Sequence, residues 1–435
     1  MQRIAVISAH TSPLAPLGCR ETGGMNVYVR ELSREMGRRG YLIDVFTRRA
    51  EPDGPDVVEA GSNVRVVHLR AGPDDIEARR QLYAYLRDFE NGLLAFQRSE
   101  GITYDVIHSH YWLSGALGLR LRERWRAPLV NMFHTLAELK KRANGGSNEP
   151  AARIEVERRV AREADVIVSA SEHEKRALID IYGASAGRVA VVPCGVDLER
   201  FRPIDKDTAR RSLGLNGEKV ILFVGRIEPL KGLDVLFGAA ARLDQDPAFH
   251  VLVVGGDSNA TDELRHLNSL SADLGIGDCV SFTGPVGHDV LPLYYNAADV
   301  CVVPSYYESF CLVALEAMAC GTPVVASHVG GLSVTVRDGE TGYLVPQHSP
   351  QPFAQRVATL LADEELRRAF GRSATEAASS FGWGNVADAI ERIYQRLASD
   401  ASDPNVGEDF SPPVRPPVAA NHAPARTRDV ADDAP

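Results

Sequence analysis

No apolar run in the chain reaches the roughly 18 residues of a membrane-spanning helix, and residues 1–20 lack the layout of a secretory leader. Stable membrane insertion is therefore not expected, and the cytoplasm is the expected compartment. Cysteine is scarce. The six present, Cys19, Cys194, Cys279, Cys301, Cys311 and Cys320, form no C-x-x-C pair and mostly sit in apolar strand or helix contexts. That pattern points to structural thiols, and it argues against a disulfide framework or a thiolate zinc site. Basic residues are outnumbered as well: a net charge of −10 disfavours a general affinity for nucleic acid or anionic lipid.

What remains is ordinary globular material, 435 residues with 44% hydrophobic and 24% charged content, enough for roughly two or three domains. Residues 401–435, rich in Pro, Ala and Asp, have too little apolar content to fold and read as a disordered tail. Ahead of them, strand-like and helix-like segments alternate in two similar halves. The first opens on Arg3-Ile-Ala-Val-Ile-Ser8, a polar loop to Gly23-Gly24 and an amphipathic helix from about Met25 to Arg38. Strands at Leu42–Phe46, Val64–Leu69, Val106–His108, Leu129–Phe133 and Val166–Ser169 follow, with helices across Ile76–Arg98 and Gly115–Trp125. The second restarts at Val220-Ile-Leu-Phe-Val-Gly225, with a loop to Lys231-Gly232 and a helix Leu233–Leu243, and continues through strands Val251–Gly255, Val280–Phe282, Val300–Pro304 and Val324–Ala326. Such alternation predicts two parallel-sheet, Rossmann-like α/β domains with a hinge between Gly195 and Gly217, and ligands at the carboxyl ends of the strands.

The most informative stretch is Glu308-Ser-Phe-Cys-Leu-Val-Ala-Leu-Glu316, a loop feeding a helix that ends at Gly321-Thr-Pro323. Two carboxylates in such apolar surroundings need partners. A helix start offers N–H groups to phosphate, while carboxylates accept from sugar hydroxyls, so a nucleotide sugar would satisfy both. Facing loops fit this. Gly23-Gly24 and Asn26 open a helix where backbone can approach a ligand. Gly225-Arg226-Ile-Glu-Pro-Leu-Lys231 puts two cations in one strand-to-helix loop, where they would neutralise a departing diphosphate without a metal. Two D-x-D strings, Asp205-Lys-Asp207 and Asp244-Gln-Asp246, lie far from these loops, and no metal or other cofactor is expected.

Taken together, Gly-Gly-Met-Asn26, His108-Ser-His-Tyr-Trp112, His134-Thr135, Gly225-Arg226 with Lys231-Gly232, and Glu308 with Glu316 resemble retaining glycosyltransferase family 4, over about residues 3–395. Asn-Val-Tyr-Val29 and Ser-His-Tyr-Trp-Leu-Ser-Gly115 are most similar to its branch of D-inositol-3-phosphate glycosyltransferases and sucrose-phosphate synthases. The resemblance implies a GT-B fold: an acceptor-binding domain at 1–200, a nucleotide-sugar-binding domain at 201–384, and a helix at about 385–399 returning to the first. It implies that Glu308 holds donor-sugar hydroxyls, with Phe310, Cys311 and Leu312 beside it. Glu316 would bind the ribose, and Arg226 and Lys231 would clamp the diphosphate. His134 would face the reacting sugar, with Gly24 and Asn26 near the phosphates and acceptor. An acceptor phosphate would meet Arg79, Tyr111, Thr135 and Arg153, near His10. Two departures stand out: the branch has lysine at the position of Arg79 and glycine at that of Cys311. The implied partners are a nucleotide-sugar donor and a small phosphorylated acceptor; a homodimer stays open. Alternatives are a nucleotide-sugar 2-epimerase, which shares the fold, and a lipid-acceptor transferase, suggested by Arg120, Arg122, Arg124 and Arg126 with Lys140-Lys141-Arg142.

Overall fold

The computed structural model describes residues 2–15, 22–49, 53–72, 82–143, 149–244, 248–256, 261–346 and 349–400. Arg79, Cys19, Asp246 and the Pro-rich tail therefore lie outside the described residues.

Among the described residues, fourteen strands form two sheets. The first contains β1 (Arg3–Ser8), β2 (Leu42–Arg48), β3 (Val57–Gly61), β4 (Val64–Leu69), β5 (Val106–His110), β6 (Leu129–Met132), β7 (Val166–Ser169) and β8 (Val189–Val191), in the order β3-β4-β2-β1-β5-β6-β7-β8. All neighbours are parallel except the β3–β4 hairpin at the edge. The second contains β9 (Lys219–Val224), β10 (Phe249–Val254), β11 (Val280–Gly284), β12 (Val300–Val303), β13 (Val324–Ser327) and β14 (Gly342–Val345), in the order β11-β10-β9-β12-β13-β14, all parallel. Continuous apolar runs such as Ile4 to Ile7, Ile221 to Phe223 and Val300 to Val302 build the central strands because helices cover both faces and leave no side of these strands to water.

Three strands escaped the sequence reading. β3 alternates exposed and half-buried residues at a sheet edge, while β8 and β14 are three and four residues long, too short for period to register. Of the helix expected across Ile76–Arg98, the described part is a 3₁₀ turn at Leu82–Tyr85 that leads into a helix Leu86–Glu100, ended by Gly101 in the left-handed region; residues 73–81 are not described. Within the expected hinge, Asp205 caps a helix Lys206–Leu213 by accepting from Thr208 N at 2.8 Å, so the first D-x-D string opens a helix.

The last helix, Trp383–Asp400, lies against the first, Gly24–Arg38. Arg39 donates to Asp388 and Glu391 (2.6 and 3.1 Å), Tyr41 donates to Glu391 (3.1 Å), and the Tyr394 hydroxyl sits 2.7 Å from His108 Nδ1. Trp383, Ile390 and Tyr394 join Tyr28, Leu32 and Met36 in one buried apolar cluster that continues into Leu315 and Met318 of the second sheet's side. The chain thus crosses back after completing the second sheet, and the cleft between the sheets is backed by shared core.

Candidate active site

Each sheet has one point where strand order reverses, between β1 and β5 in the first and between β9 and β12 in the second. Loops leaving the carboxyl ends of two such strands diverge and open a crevice. Here they carry His10, Tyr111, Arg226 and Glu308, and the two crevices meet in one cleft of about 620 Å³.

On the second sheet's side, Lys231 Nζ donates to Glu308 Oε1 at 2.7 Å, and Ser305 Oγ donates to the same oxygen at 2.9 Å. Burial alone would depress Lys231; the Glu308 carboxylate, helped by Glu228, offsets it, and the lysine is held above its ordinary value. Arg226 pairs with Glu228 at 2.9 Å and approaches Gly23 of the opposite domain. Gly330 and Gly331 back the Glu308 loop. Gly331 N donates to the Glu308 carbonyl at 3.1 Å, and a Cβ on Gly330, which has φ +47°, would collide with that carbonyl.

The helix Leu312–Ala319 is preceded, three residues after Glu308, by Cys311, whose φ of +89° is in the region that favours glycine. The departure from the family pattern therefore falls on a strained residue, with a cost of order 1–2 kcal/mol. Burial, then the Glu308 charge, pushes the Cys311 thiol well up, so it stays protonated. Replacing Cys311 by glycine is expected to raise the free energy of unfolding by about 1 kcal/mol without loss of turnover. Urea denaturation and a rate assay check this, and a destabilised variant would show that the cysteine packs more favourably than its backbone is strained.

Glu316 is buried, and both its oxygens are occupied: His288 Nε2 lies 3.0 Å from Oε1 and Tyr295 Oη donates to Oε2 at 2.7 Å. Phe310 turns its ring into the core beside Phe381, and Leu312 lies against Gly24.

On the first sheet's side, Asn26 is engaged inside its own loop. It donates to Thr11 Oγ1 (2.8 Å) and Ser12 O (2.7 Å) and accepts from Gly23 N (3.0 Å), tying the β1 loop to the helix start. Tyr111 and His134 both have positive φ, +78° and +62°. Strain of this kind at the ends of two neighbouring strands, β5 and β6, marks a site held by its surroundings. His134 is held near His110, Nε2 to Nδ1 at 3.0 Å, and burial lowers its pKa to about 3, so a neutral ring faces the cleft. His10 stacks 4.4 Å from Tyr111; burial, then the charge of Arg153, lowers its pKa to about 4.

Arg153 is not a surface cation. It is 2% exposed, under the Tyr111 ring (4.9 Å), and donates to Thr135 O and Oγ1 (both 3.0 Å), Glu149 (2.7 Å) and Glu157 (2.7 Å). Lys140 completes the group by donating to Glu149 at 2.6 Å. The expected socket members Tyr111, Thr135 and Arg153 are thus brought together, and Arg79 lies outside the described residues. The carboxylates Glu149 and Glu157, unforeseen from sequence, offset the charge.

The basic cluster behind the lipid-acceptor alternative is partly spent on ion pairs: Arg122 makes a bidentate pair with Asp165 (2.7 Å twice), and Arg120 reaches Glu90 at 3.5 Å. No helix among the described residues is long and apolar enough to cross a membrane.

Two facing parallel-sheet halves with cations and carboxylates converging at their switch points define a GT-B type glycosyltransferase. Residues 23–195 match the glycosyl transferase 4-like domain and residues 205–377 match glycosyl transferases group 1. The chain is 46% identical over 409 residues to a D-inositol 3-phosphate glycosyltransferase of Geodermatophilus obscurus, covering 92% of this chain and 90% of that protein. It is 44% identical to one of Corynebacterium jeikeium, with 91% and 97% covered. Among solved structures, a sucrose-phosphate synthase from Thermosynechococcus elongatus superposes with a TM-score of 0.86 at 37% identity, over 92% of this chain and all of that one. The chain belongs to the GT4-like, group 1 glycosyltransferase family, in the branch that holds these two kinds of enzyme.

Proposed function

We propose that the protein moves a sugar from a UDP-linked donor to a hydroxyl of a small phosphorylated polyol or sugar, with retention at the anomeric carbon and without a metal. On this reading residues 1–200 receive the acceptor and residues 201–384 the donor, and both substrates are of the kind met in the cytoplasm. The observation that carries it is the meeting of Lys231, Arg226 and Glu308 at one strand-end edge, with Lys231 and Ser305 both on one oxygen of Glu308. The second oxygen of Glu308 is left to accept from sugar hydroxyls. The two cations take up charge as the bond between the anomeric carbon and the diphosphate lengthens. The acceptor hydroxyl attacks from the same face, and its proton passes to the departing phosphate oxygen, which lies next to it. Glu308 is a binding group in this scheme, since Lys231 and Ser305 fix its carboxylate beside the phosphates. His134, neutral, contributes position and hydrogen bonding without charge.

The acceptor phosphate is assigned to Tyr111, Thr135, Arg153 and Lys140. Relatives named for D-inositol 3-phosphate and for sucrose phosphate both support a phosphorylated acceptor. The test is nucleotide release from UDP-glucose, UDP-N-acetylglucosamine, GDP-mannose and ADP-glucose, each with D-inositol 3-phosphate, fructose 6-phosphate and their unphosphorylated counterparts. Release that requires both a UDP-sugar and a phosphorylated acceptor is expected. Interconversion of the nucleotide sugar with no acceptor present would replace the transferase reading with an epimerase, and equal rates with unphosphorylated acceptors would remove the socket.

A further inference from the structure

His288 leaves the helix-start loop before Leu291–Ala297 and is touched from three directions. Its Nε2 is 3.0 Å from Glu316 Oε1. Its Nδ1 is 2.7 Å from Arg200 and 3.3 Å from Arg30. A guanidinium can only donate, so Nδ1 is an acceptor and the proton is on Nε2, aimed at the carboxylate. The ring is wedged against Phe201 at 5.0 Å. Tyr295 holds the other carboxylate oxygen, and burial, then the Glu316 charge, keeps its hydroxyl protonated and donating. Glu316 therefore has each oxygen pinned by one donor, with its remaining lone pairs in a fixed direction.

The two arginines come from different parts of the chain. Arg200 follows β8 and is braced by Asp197 at 3.5 Å. Arg30 belongs to the first helix, on the other side of the cleft, and its Nε donates to Glu31 at 2.7 Å. The Arg30–His288 contact joins the helix that starts at Gly24 to the carboxylate of the opposite sheet. Two further contacts across the cleft, Ser171 to Ser309 and Leu136 to Tyr307, are longer, at 3.5 Å.

We propose that His288 is the positioning residue for Glu316, and that Arg30 couples its orientation to the approach of the two halves, so that the nucleotide's ribose is read fully only in the closed cleft. The proposal rests on Glu316 being the ribose ligand. With Arg30 away, His288 loses one of two donors that fix its tautomer, and the Glu316 carboxylate loses direction before it loses its place.

The experiment measures dissociation constants of UDP and 2′-deoxy- and 3′-deoxy-UDP by calorimetry for the full chain and for Glu316→Ala, His288→Ala, His288→Gln and Arg30→Ala. The wild type is expected to bind UDP about tenfold or more tighter than the poorer deoxy form, and His288→Ala to lose most of that ratio, because a hydrogen bond to a charged group is lost from the register of the carboxylate. His288→Gln, which retains an N–H at the far end, is expected to recover part of it. Arg30→Ala should reduce the ratio by itself and add nothing on top of His288→Ala, as expected of residues acting through one another. Should His288→Ala weaken all three ligands equally while Glu316→Ala abolishes the ratio, His288 is merely structural and the proposal fails. Additive losses for Arg30 and His288 would sink the coupling. A ratio preserved in Glu316→Ala would overturn the ribose assignment itself.

Discussion

Lys231→Ala is expected to lower kcat by about two to three orders of magnitude, the size seen when one preorganised donor to a developing oxyanion is removed. The reason is that Lys231 does two things with one ammonium group. It is the nearest cation to the Glu308 carboxylate, at 2.7 Å, and it lies in the same loop as Arg226, where a leaving diphosphate would gather charge. In the ground state the donor diphosphate is already charged, and Arg226 stays in place to hold it, so KM for the donor should change much less than kcat. Removal also leaves Glu308 with Ser305 alone as a partner in a largely buried setting. Steady-state rates, together with rescue of Lys231→Ala by added ethylammonium, check the assignment. A variant within about tenfold of the wild type in kcat would remove Lys231 from leaving-group stabilisation.

How much of this was legible beforehand depends on whether a residue's role is set by its local string or by what the fold brings to it. Arg226, Lys231, Glu308 and Glu316 could be placed because each sits immediately after a strongly apolar strand or just inside the next helix, and strand ends in a parallel sheet face the ligand edge. Gly23-Gly24 announced a close approach, and the structure puts Leu312 and Arg226 of the other half beside it. His288 and Tyr295 carried no such signal. Neither is distinctive among its neighbours, and each gains its part only because the loop before Leu291–Ala297 folds over Glu316. Gly330-Gly331 drew no reading from the sequence, because their partner, the Glu308 carbonyl, is 22 or 23 positions away and invisible to local pattern. Asn26 looked like a ligand group because it offers both donor and acceptor, and that same versatility lets it satisfy three loop atoms in this structure. Arg153 is the sharpest case: an arginine on an amphipathic helix is normally solvated, and only the fold shows it buried beneath Tyr111 with two carboxylates.

That burial makes Arg153→Met the variant with the largest expected effect on stability. Glu157 is fully buried, accepts from Ala137 N at 3.0 Å as well as from Arg153, and burial already holds its pKa above the ordinary carboxylate range despite the guanidinium. Glu149 stands on the other side of the balance, held below that range by Arg153 and Lys140 even though burial opposes them. Taking the arginine away removes the counter-charge of Glu157, which keeps the Ala137 N–H, and leaves Glu149 to Lys140; breaking a buried pair in this way costs about 3–5 kcal/mol. The sign of the pH dependence follows. With Arg153 gone, Glu157 binds its proton more tightly in the folded than in the unfolded chain, so stability falls as pH rises from the ordinary carboxylate range through the raised folded value. Arg153→Met should be most destabilised near pH 8 and recover part of the loss near pH 5, measured by urea denaturation at both. Arg153→Lys keeps a charge for Glu157 but cannot span Thr135, Glu149 and Glu157 with one planar fork, so it should fold with a smaller loss. The Lys variant then isolates function from folding: its rate with an unphosphorylated acceptor should be close to the wild type's, while its preference for the phosphorylated one should shrink. A preference left intact in Arg153→Lys would mean that the acceptor phosphate is held elsewhere and that Arg153 serves the fold alone.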